Sequence, residues 1–206
     1  MIIRNPREQH YPQLQSFVTS KFVEPSKPRM TQVHSNRVVV VTDLYQEIGE
    51  ADGMVTHLQN LKLQVRIADC GNIYAYDPLE KVIGICHSGW QGTRLNIIHN
   101  MISEMINFWS LPKNMVIWTG PCIFLKNYQF WPEVTDLFGK DYYELKDGKY
   151  YLDLSSLHRD QLLSSWILIE HIIQSEICTF WNFDLPSYRR DGADRGRLTG
   201  TIMQMK

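Results

Sequence analysis

The sequence predicts a mixed α/β (α+β) layered domain, and three observations carry that expectation. Apolar runs of strand length recur along the chain, two longer segments repeat apolar residues at helical spacing, and the two kinds mix without a regular strand–helix–strand rhythm. Length and composition agree. The chain has 206 residues, 44% hydrophobic and 21% charged, which fits one globular domain and excludes a disordered or collagen-like polymer. A chain of this size buries roughly 70% of the surface its unfolded form exposes, so it needs neither disulfide nor metal merely to fold.

The elements follow in order. Glu24-Pro25-Ser26-Lys27-Pro28 cannot be regular structure and reads as an ordered loop or linker after a short N-terminal segment. Val38 to Val41 form a continuous β-branched run, as in a strand buried on both faces. Leu61 to Ile67 alternates apolar with polar, the mark of a half-buried strand. Ile73 to Tyr76 and Val82 to Cys86 are short strands separated by the turn-like Asp77-Pro78-Leu79-Glu80. Connections this short predict an up-down-up meander of the three runs, which sets Asp69 and Cys70 at the same sheet edge as Cys86 and His87. Leu95, Ile98, Ile102, Met105 and Trp109 predict one amphipathic helix, closed by Pro112. Asn114 to Trp118 is a further strand. A second helix starts with Asp153 or Ser155 as N-cap and carries Leu162, Trp166 and Ile169 on one face; Arg197 to Met205 alternates as a final strand.

Charge and cysteine usage narrow the function classes. Twenty-one Lys and Arg balance 22 Asp and Glu, which lacks the basic footprint of a nucleic-acid binder or a polybasic membrane patch. Cys70, Cys86, Cys122 and Cys178 are widely spaced, the N-terminus has no apolar signal core, and no long uncharged apolar run exists. A reducing cytoplasm is the expected compartment.

Three groups could carry chemistry. His34, Cys70 and His87 match no short zinc pattern, yet the meander brings Cys70 and His87 to one edge, and His34 precedes a strand that could enter there. Two histidines and a cysteine with an open fourth position make a catalytic zinc arrangement; a Cys–His nucleophilic dyad, or one thiol with two unrelated imidazoles, fits the same residues. His87-Ser88-Gly89-Trp90-Gln91-Gly92-Thr93-Arg94 runs from a strand through glycines into a helix, where free backbone N–H groups and Arg94 suit a phosphate or carboxylate. The glycines equally serve a tight turn. Arg189 and Arg190, in a Gly/Asp-rich loop, could grip phosphate bidentately or pair within the loop. Tyr128, Phe130, Trp131 and Phe180 are aromatic enough to stack on a purine but equally suit a core, and His10, His57, His99, His158 and His171 read as background.

Several blocks taken together resemble the YfiH-type laccase-domain family. They are Gln32-Val33-His34-Ser35, Ala51-Asp52-Gly53-Met54-Val55-Thr56, Ala68-Asp69-Cys70, the His87–Thr93 turn, Gly120-Pro121-Cys122-Ile123, Leu152-Asp153-Leu154, Cys178-Thr179, and Ser187-Tyr188-Arg189-Arg190-Asp191-Gly192 with Gly196-Arg197. The blocks are collinear from about Gln32 onward, so residues 32–206 form the family core and 1–31 a short N-terminal segment of a single domain. The resemblance implies a layered α/β/β/α sandwich and zinc held by His34, Cys70 and His87. It also implies phosphorolysis of purine nucleosides (adenosine, inosine, guanosine, methylthioadenosine) and deamination of adenosine, so the partners are a small purine nucleoside and phosphate, with no nucleic acid and no membrane. Cys70, His87 and Asp69 are then the catalytic residues, and Gln91, Arg94, Arg189 and Arg190 the substrate and phosphate ligands. The same family resemblance admits a Cys–His amide or ester hydrolase of peptidoglycan precursors, a copper polyphenol oxidase, and a catalytically weakened binding member. Copper ranks low, since a multicopper centre needs many histidines and only two of the seven sit in matching motifs. The chain departs from the family pattern in a shorter N-terminal part, Gln91 in place of Arg, Tyr128-Gln129 in place of Tyr-Glu, and Leu185-Pro186 in place of an aromatic pair.

Overall fold

The computed structural model of the protein describes residues 1–21, 27–193 and 196–206, so residues 24–26 of the expected Pro-rich loop lie outside the described residues. The chain opens with β1 (Ile2–Arg4) and β2 (Leu14–Thr19), then β3 (Met30–Thr31), β4 (Val38–Val40), β5 (Gly49–Glu50) and β6 (Gly53–Thr56). β7 (Lys62–Ile67), β8 (Gly71–Asp77) and β9 (Val82–Ser88) follow in close succession. Helices α1 (Trp90–Arg94) and α2 (Ile97–Ile106) lead to β10 (Val116–Thr119). After them come β11 (Gln129–Phe130), α3 (Pro132–Thr135), β12 (Tyr143–Lys146), β13 (Lys149–Leu152) and α4 (Leu154–Ser164). β14 (Ile172–Gln174), α5 (Tyr188–Asp191) and β15 (Leu198–Gln204) complete the chain.

Two sheets make the framework. One has six strands in the order β14-β10-β8-β9-β6-β4, the other four in the order β1-β2-β15-β7. Leu63, Val65 and Ile67 of β7, Leu198 and Ile202 of β15, and Leu14 and Val18 of β2 bury one face of the four-stranded sheet. They meet Met54, Tyr74, Tyr76, Ile83, Ile85 and Trp118 from the six-stranded sheet. The opposite face of the six-stranded sheet takes α2 through Ile97, Ile98, Met101, Ile102 and Met105, with Leu162 of α4 beside them. Each such aliphatic side chain contributes roughly 1.5–3 kcal/mol on full burial, so α2 is held by packing rather than by propensity. Strands β8 and β9, enclosed on both faces, are buried throughout. Among the described residues, no helix is long and apolar enough to cross a membrane.

The expected mixed α/β layered class is observed, with local differences. The meander is not formed: β8 and β9 pair as a hairpin, but β7 joins the other sheet. Its alternating pattern explains this, because a strand with one polar face suits the solvated four-stranded sheet and not the doubly covered one. The hairpin turn closes as expected, with Asp77 Oδ1 accepting the backbone N–H groups of Leu79 and Glu80. Among the described residues β4 is an edge strand paired with β6 alone, and its valines are half-buried rather than enclosed on both faces. The expected helix from Leu95 to Trp109 is interrupted at Asn96, whose φ of 61° ends α1 and restarts the chain as α2. Leu95 and Trp109 fall outside α2 and are exposed, Trp109 by 84%. Asp153 is the N-cap of α4, accepting from the Ser156 N–H at 3.0 Å. That helix ends before Trp166, whose φ of 64° turns it and Ile169 outward.

Candidate metal centre and its cleft

The centre is built where the two sheets join. β7 leaves one sheet, turns through Ala68, Asp69 and Cys70, and re-enters the other as β8. Asp69 makes this corner at φ 78°, a conformation its short polar side chain tolerates. Its carboxylate is occupied: the Thr179 hydroxyl donates to Oδ1 at 2.6 Å and the Arg189 backbone N–H to Oδ2 at 2.7 Å. The β8–β9 register sets Asn72 opposite His87 and Gly71 opposite Ser88, which carries Cys70 to the end of the hairpin beside His87.

His34 arrives from the segment before β4 with φ 60°. Asp52 holds it there. Oδ2 of Asp52 accepts the backbone N–H groups of Val33 and Ser35 at 3.1 and 2.7 Å, on either side of His34, and the Ser35 hydroxyl at 2.9 Å. Oδ1 accepts Nδ1–H of His87 at 2.8 Å. One buried carboxylate therefore positions two imidazoles, and with Nδ1 engaged, Nε2 of His87 is left to face its neighbours. His34, Cys70 and His87 bring one donor atom each to within 4.8 Å of one another, and the two rings meet edge to face at 4.7 Å. Gly89 serves this closeness. Its φ of −76° is ordinary, but a Cβ there would stand 2.8 Å from Cys70 Sγ and 3.3 Å from His34 Cδ2.

Electrostatics follow from this packing. Burial alone would raise the Asp52 carboxyl, but the hydrogen bonds from His87 and Ser35 outweigh it and bring it down to about 2. Burial would likewise raise the Cys70 thiol; the charge on His87 and hydrogen bonding with His34 prevail and lower it to about 6. Burial opposes the charged form of His87, yet Cys70 and Asp52 together raise it to about 9. Two imidazoles and a thiolate with an open side fit zinc, whose tetrahedral donors lie roughly 3.5 Å apart at bonds of about 2.0–2.3 Å. Among the described residues this is the one His/Cys/Asp/Glu group placed to hold a metal, which suits a single ion and not a multicopper centre.

The triad opens on a cleft of about 1310 Å³. Phe183 and Tyr188 present exposed rings on its wall, and Lys21, Arg29, Arg66 and Arg197 also line it. The other expected ligands sit elsewhere. Gln91 and Arg94 lie on the surface of α1, a helix of only five residues, and do not line the cleft. Arg189 packs over Tyr128 and Phe130 and donates to the Gln129 carbonyl. Arg190 is committed to its own loop, donating to Asp191 and to the carbonyls of Thr179, Phe180, Asn182 and Leu185. Tyr128 and Phe130 are core residues, packed with Trp90 and Phe180. His99, His158 and His171 are partnered within the fold, as expected of background imidazoles. Asp52, Phe183, Arg29 and Arg66 were not legible as site residues, because only the tertiary fold brings these sequence-distant positions to the triad and its cleft.

Comparison with known proteins places the chain. The family model described as multi-copper polyphenol oxidoreductase laccase matches residues 13–205. A purine nucleoside phosphorylase of Borreliella burgdorferi is 34% identical over 169 residues, which is 78% of this chain and 72% of that protein. Adenosine deaminase RL5, from an unknown prokaryotic organism, is 28% identical over 184 residues, 81% of this chain and 70% of its own. The crystal structure of the hypothetical protein YfiH of Bacillus licheniformis matches with a TM-score of 0.85 at 25% identity, covering 96% of this chain and 95% of that one. The corner between two sheets, the converging His, Cys and His, and these matches agree that the chain belongs to the multi-copper polyphenol oxidoreductase laccase family, the YfiH-type family its sequence blocks resemble.

Proposed function

We propose that the protein is a zinc-dependent purine nucleoside enzyme, phosphorolysing adenosine, inosine, guanosine and methylthioadenosine and deaminating adenosine. The observation that carries this reading is the convergence of His34, Cys70 and His87 on the wall of a large cleft. Relatives that bear the names purine nucleoside phosphorylase and adenosine deaminase support the substrate class. In this reading the three residues hold the zinc, which when bound supplies Lewis acidity to a water or a substrate oxygen. Asp52 keeps the proton on Nδ1 of His87 and so fixes the ring's orientation. Cys70, with its thiol drawn down to about 6, supplies negative charge near neutral pH. Phe183 and Tyr188 offer ring faces to a purine. Asp69 acts by holding the corner closed, and Arg190 by holding the loop that carries Tyr188. Of the arginine pair, Arg189 alone keeps guanidinium N–H groups without hydrogen-bond partners among the described residues, although it packs over Tyr128 and Phe130 and does not line the cleft. Four free thiols suit the reducing cytoplasm in which we place it.

The test is phosphate-dependent release of purine base from a nucleoside panel, and of inosine from adenosine, by protein carrying about one zinc per chain. Cys70→Ala loses metal and turnover together, and Asp52→Asn weakens metal binding roughly 10–100-fold. Absence of both base release and inosine formation from zinc-loaded protein overturns the proposal. The lowered Cys70 thiol beside His87 also favours a second reading, a Cys–His amide or ester hydrolase of cell-wall precursors. Activity that survives strong chelation but dies on thiol alkylation selects that alternative.

A further inference from the structure

Lys21, Arg29, Arg66 and Arg197 share the cleft with the triad, and among the described residues Asp184 is the one carboxylate lining it with them. The whole chain carries a formal charge of only −1, so this concentration of cations is local. Strand register explains how it arises. Thr199 of β15 pairs with Arg66 of β7 on one side and with Thr19 of β2 on the other. Two residues further along the same face, Arg197 stands diagonal to Arg66 and level with Lys21, all within reach of long side chains. Arg29 joins them because Gln32 is laid against β7: its amide donates to the Arg66 carbonyl at 2.9 Å and accepts the Arg66 N–H at 2.7 Å. Among the described residues none of the four forms an ion pair with a carboxylate, whereas like charges across neighbouring strands repel. A cleft of about 1310 Å³ also exceeds the roughly 300–1,000 Å³ that small ligands fill.

We infer that this row of cations binds a phosphoryl group carried by the substrate, so that the cleft takes purine nucleoside 5′-phosphates in preference to bare nucleosides; the inference rests on the purine reading above. A phosphomonoester dianion accepts hydrogen bonds from guanidinium forks on several sides, which Arg29, Arg66 and Arg197, none of them ion-paired among the described residues, supply. The ligand's phosphoryl end falls to Arg29 and Arg66 and its purine end to Phe183 and the triad. Arg197, which rests over the Tyr188 ring at 5.7 Å and donates to the Gly196 carbonyl, couples the row to that ring. Inorganic phosphate offers the same chemistry, and the test separates the two sources.

Isothermal titration of the purified full chain at low ionic strength compares adenosine, adenosine 5′-monophosphate and inorganic phosphate. The monophosphate is expected to bind roughly tenfold or more tightly than adenosine, with the gap shrinking as salt is raised. Arg29→Gln combined with Arg66→Gln closes that gap by weakening the monophosphate far more than adenosine. Both side chains are exposed, so an unchanged thermal melt verifies the variant's fold. Equal affinity for monophosphate and adenosine overturns the inference, as does a preference that survives the double substitution. Phosphate binding that the substitutions abolish, with no preference for the monophosphate, overturns it too and gives the row to the free anion. Turnover of adenosine in that case leaves the nucleoside reading standing. A monophosphate preference that the substitutions remove, with no turnover of any purine compound, upholds the row and overturns the nucleoside reading alone.

Discussion

Arg190 and Arg66 flank the same centre and are built in opposite ways. Every N–H of the Arg190 guanidinium is spoken for by Asp191 and four backbone carbonyls, and the side chain is largely covered. Arg66 is tied down only through its backbone, by the side chain of Gln32, and its guanidinium has no ion pair among the described residues. A positive charge near a site is available to a ligand only where the fold has not already consumed it. Sequence neighbours divide on the same line: Arg189 lies on the surface while Arg190 ties its loop together.

The largest way to break this contrast is to remove the staple. Arg190→Ala strips the donors from four carbonyls and uncouples a covered ion pair, and is expected to cost about 3–5 kcal/mol in denaturant melts. A loss below about 1 kcal/mol would show that residues 179–191 hold themselves. Next in size is a buried base that complements the buried cation. Burial lowers His158 to about 4, against a hydrogen bond to the Ser88 carbonyl that acts the other way. The unfolded imidazole, near 6.5, takes up a proton first, so this contribution is present above pH 6.5 and is lost as pH falls toward 4. The loss amounts to about 3 kcal/mol and is read as a melting temperature that drops across that window. His158→Gln should flatten the slope; an unaltered slope would point to another group. Smallest is Arg66→Gln, expected to leave stability within about 0.5 kcal/mol. A larger loss would mean the fold does use that guanidinium, which would blunt the comparison.

Much of the centre can be read from residues alone, by an argument whose premise partly fails. The meander is absent, because β7 belongs to the other sheet, yet Cys70 and His87 are neighbours through the β8–β9 hairpin. The Asp77 turn and the Asp153 cap were legible because both act within a few residues of themselves. Asn96 was not, since nothing in an apolar periodicity marks which polar residue will adopt a left-handed φ. Asp52 was silent for another reason: its partners Val33, Ser35 and His87 lie far away in sequence and meet it only after β4, β6 and β9 have paired. The expectation for Arg190 failed on the same scale, because its carbonyl partners are a property of how residues 179–185 curl.

One consequence of the strand order concerns time rather than space. β15 lies between β2 and β7, so the four-stranded sheet joins residues 14–19 to residues 198–204. On a ribosome, β2 has β1 beside it from the start, but its second neighbour, β15, is made far later, and contacts of such sequence separation form slowly. The six-stranded sheet, with its local β8–β9 hairpin, can assemble earlier. The cation row, which β7 and the segments flanking β2, β3 and β15 bring together, is therefore among the last parts of the molecule to appear, after the corner that bears Cys70 and His87 has taken shape.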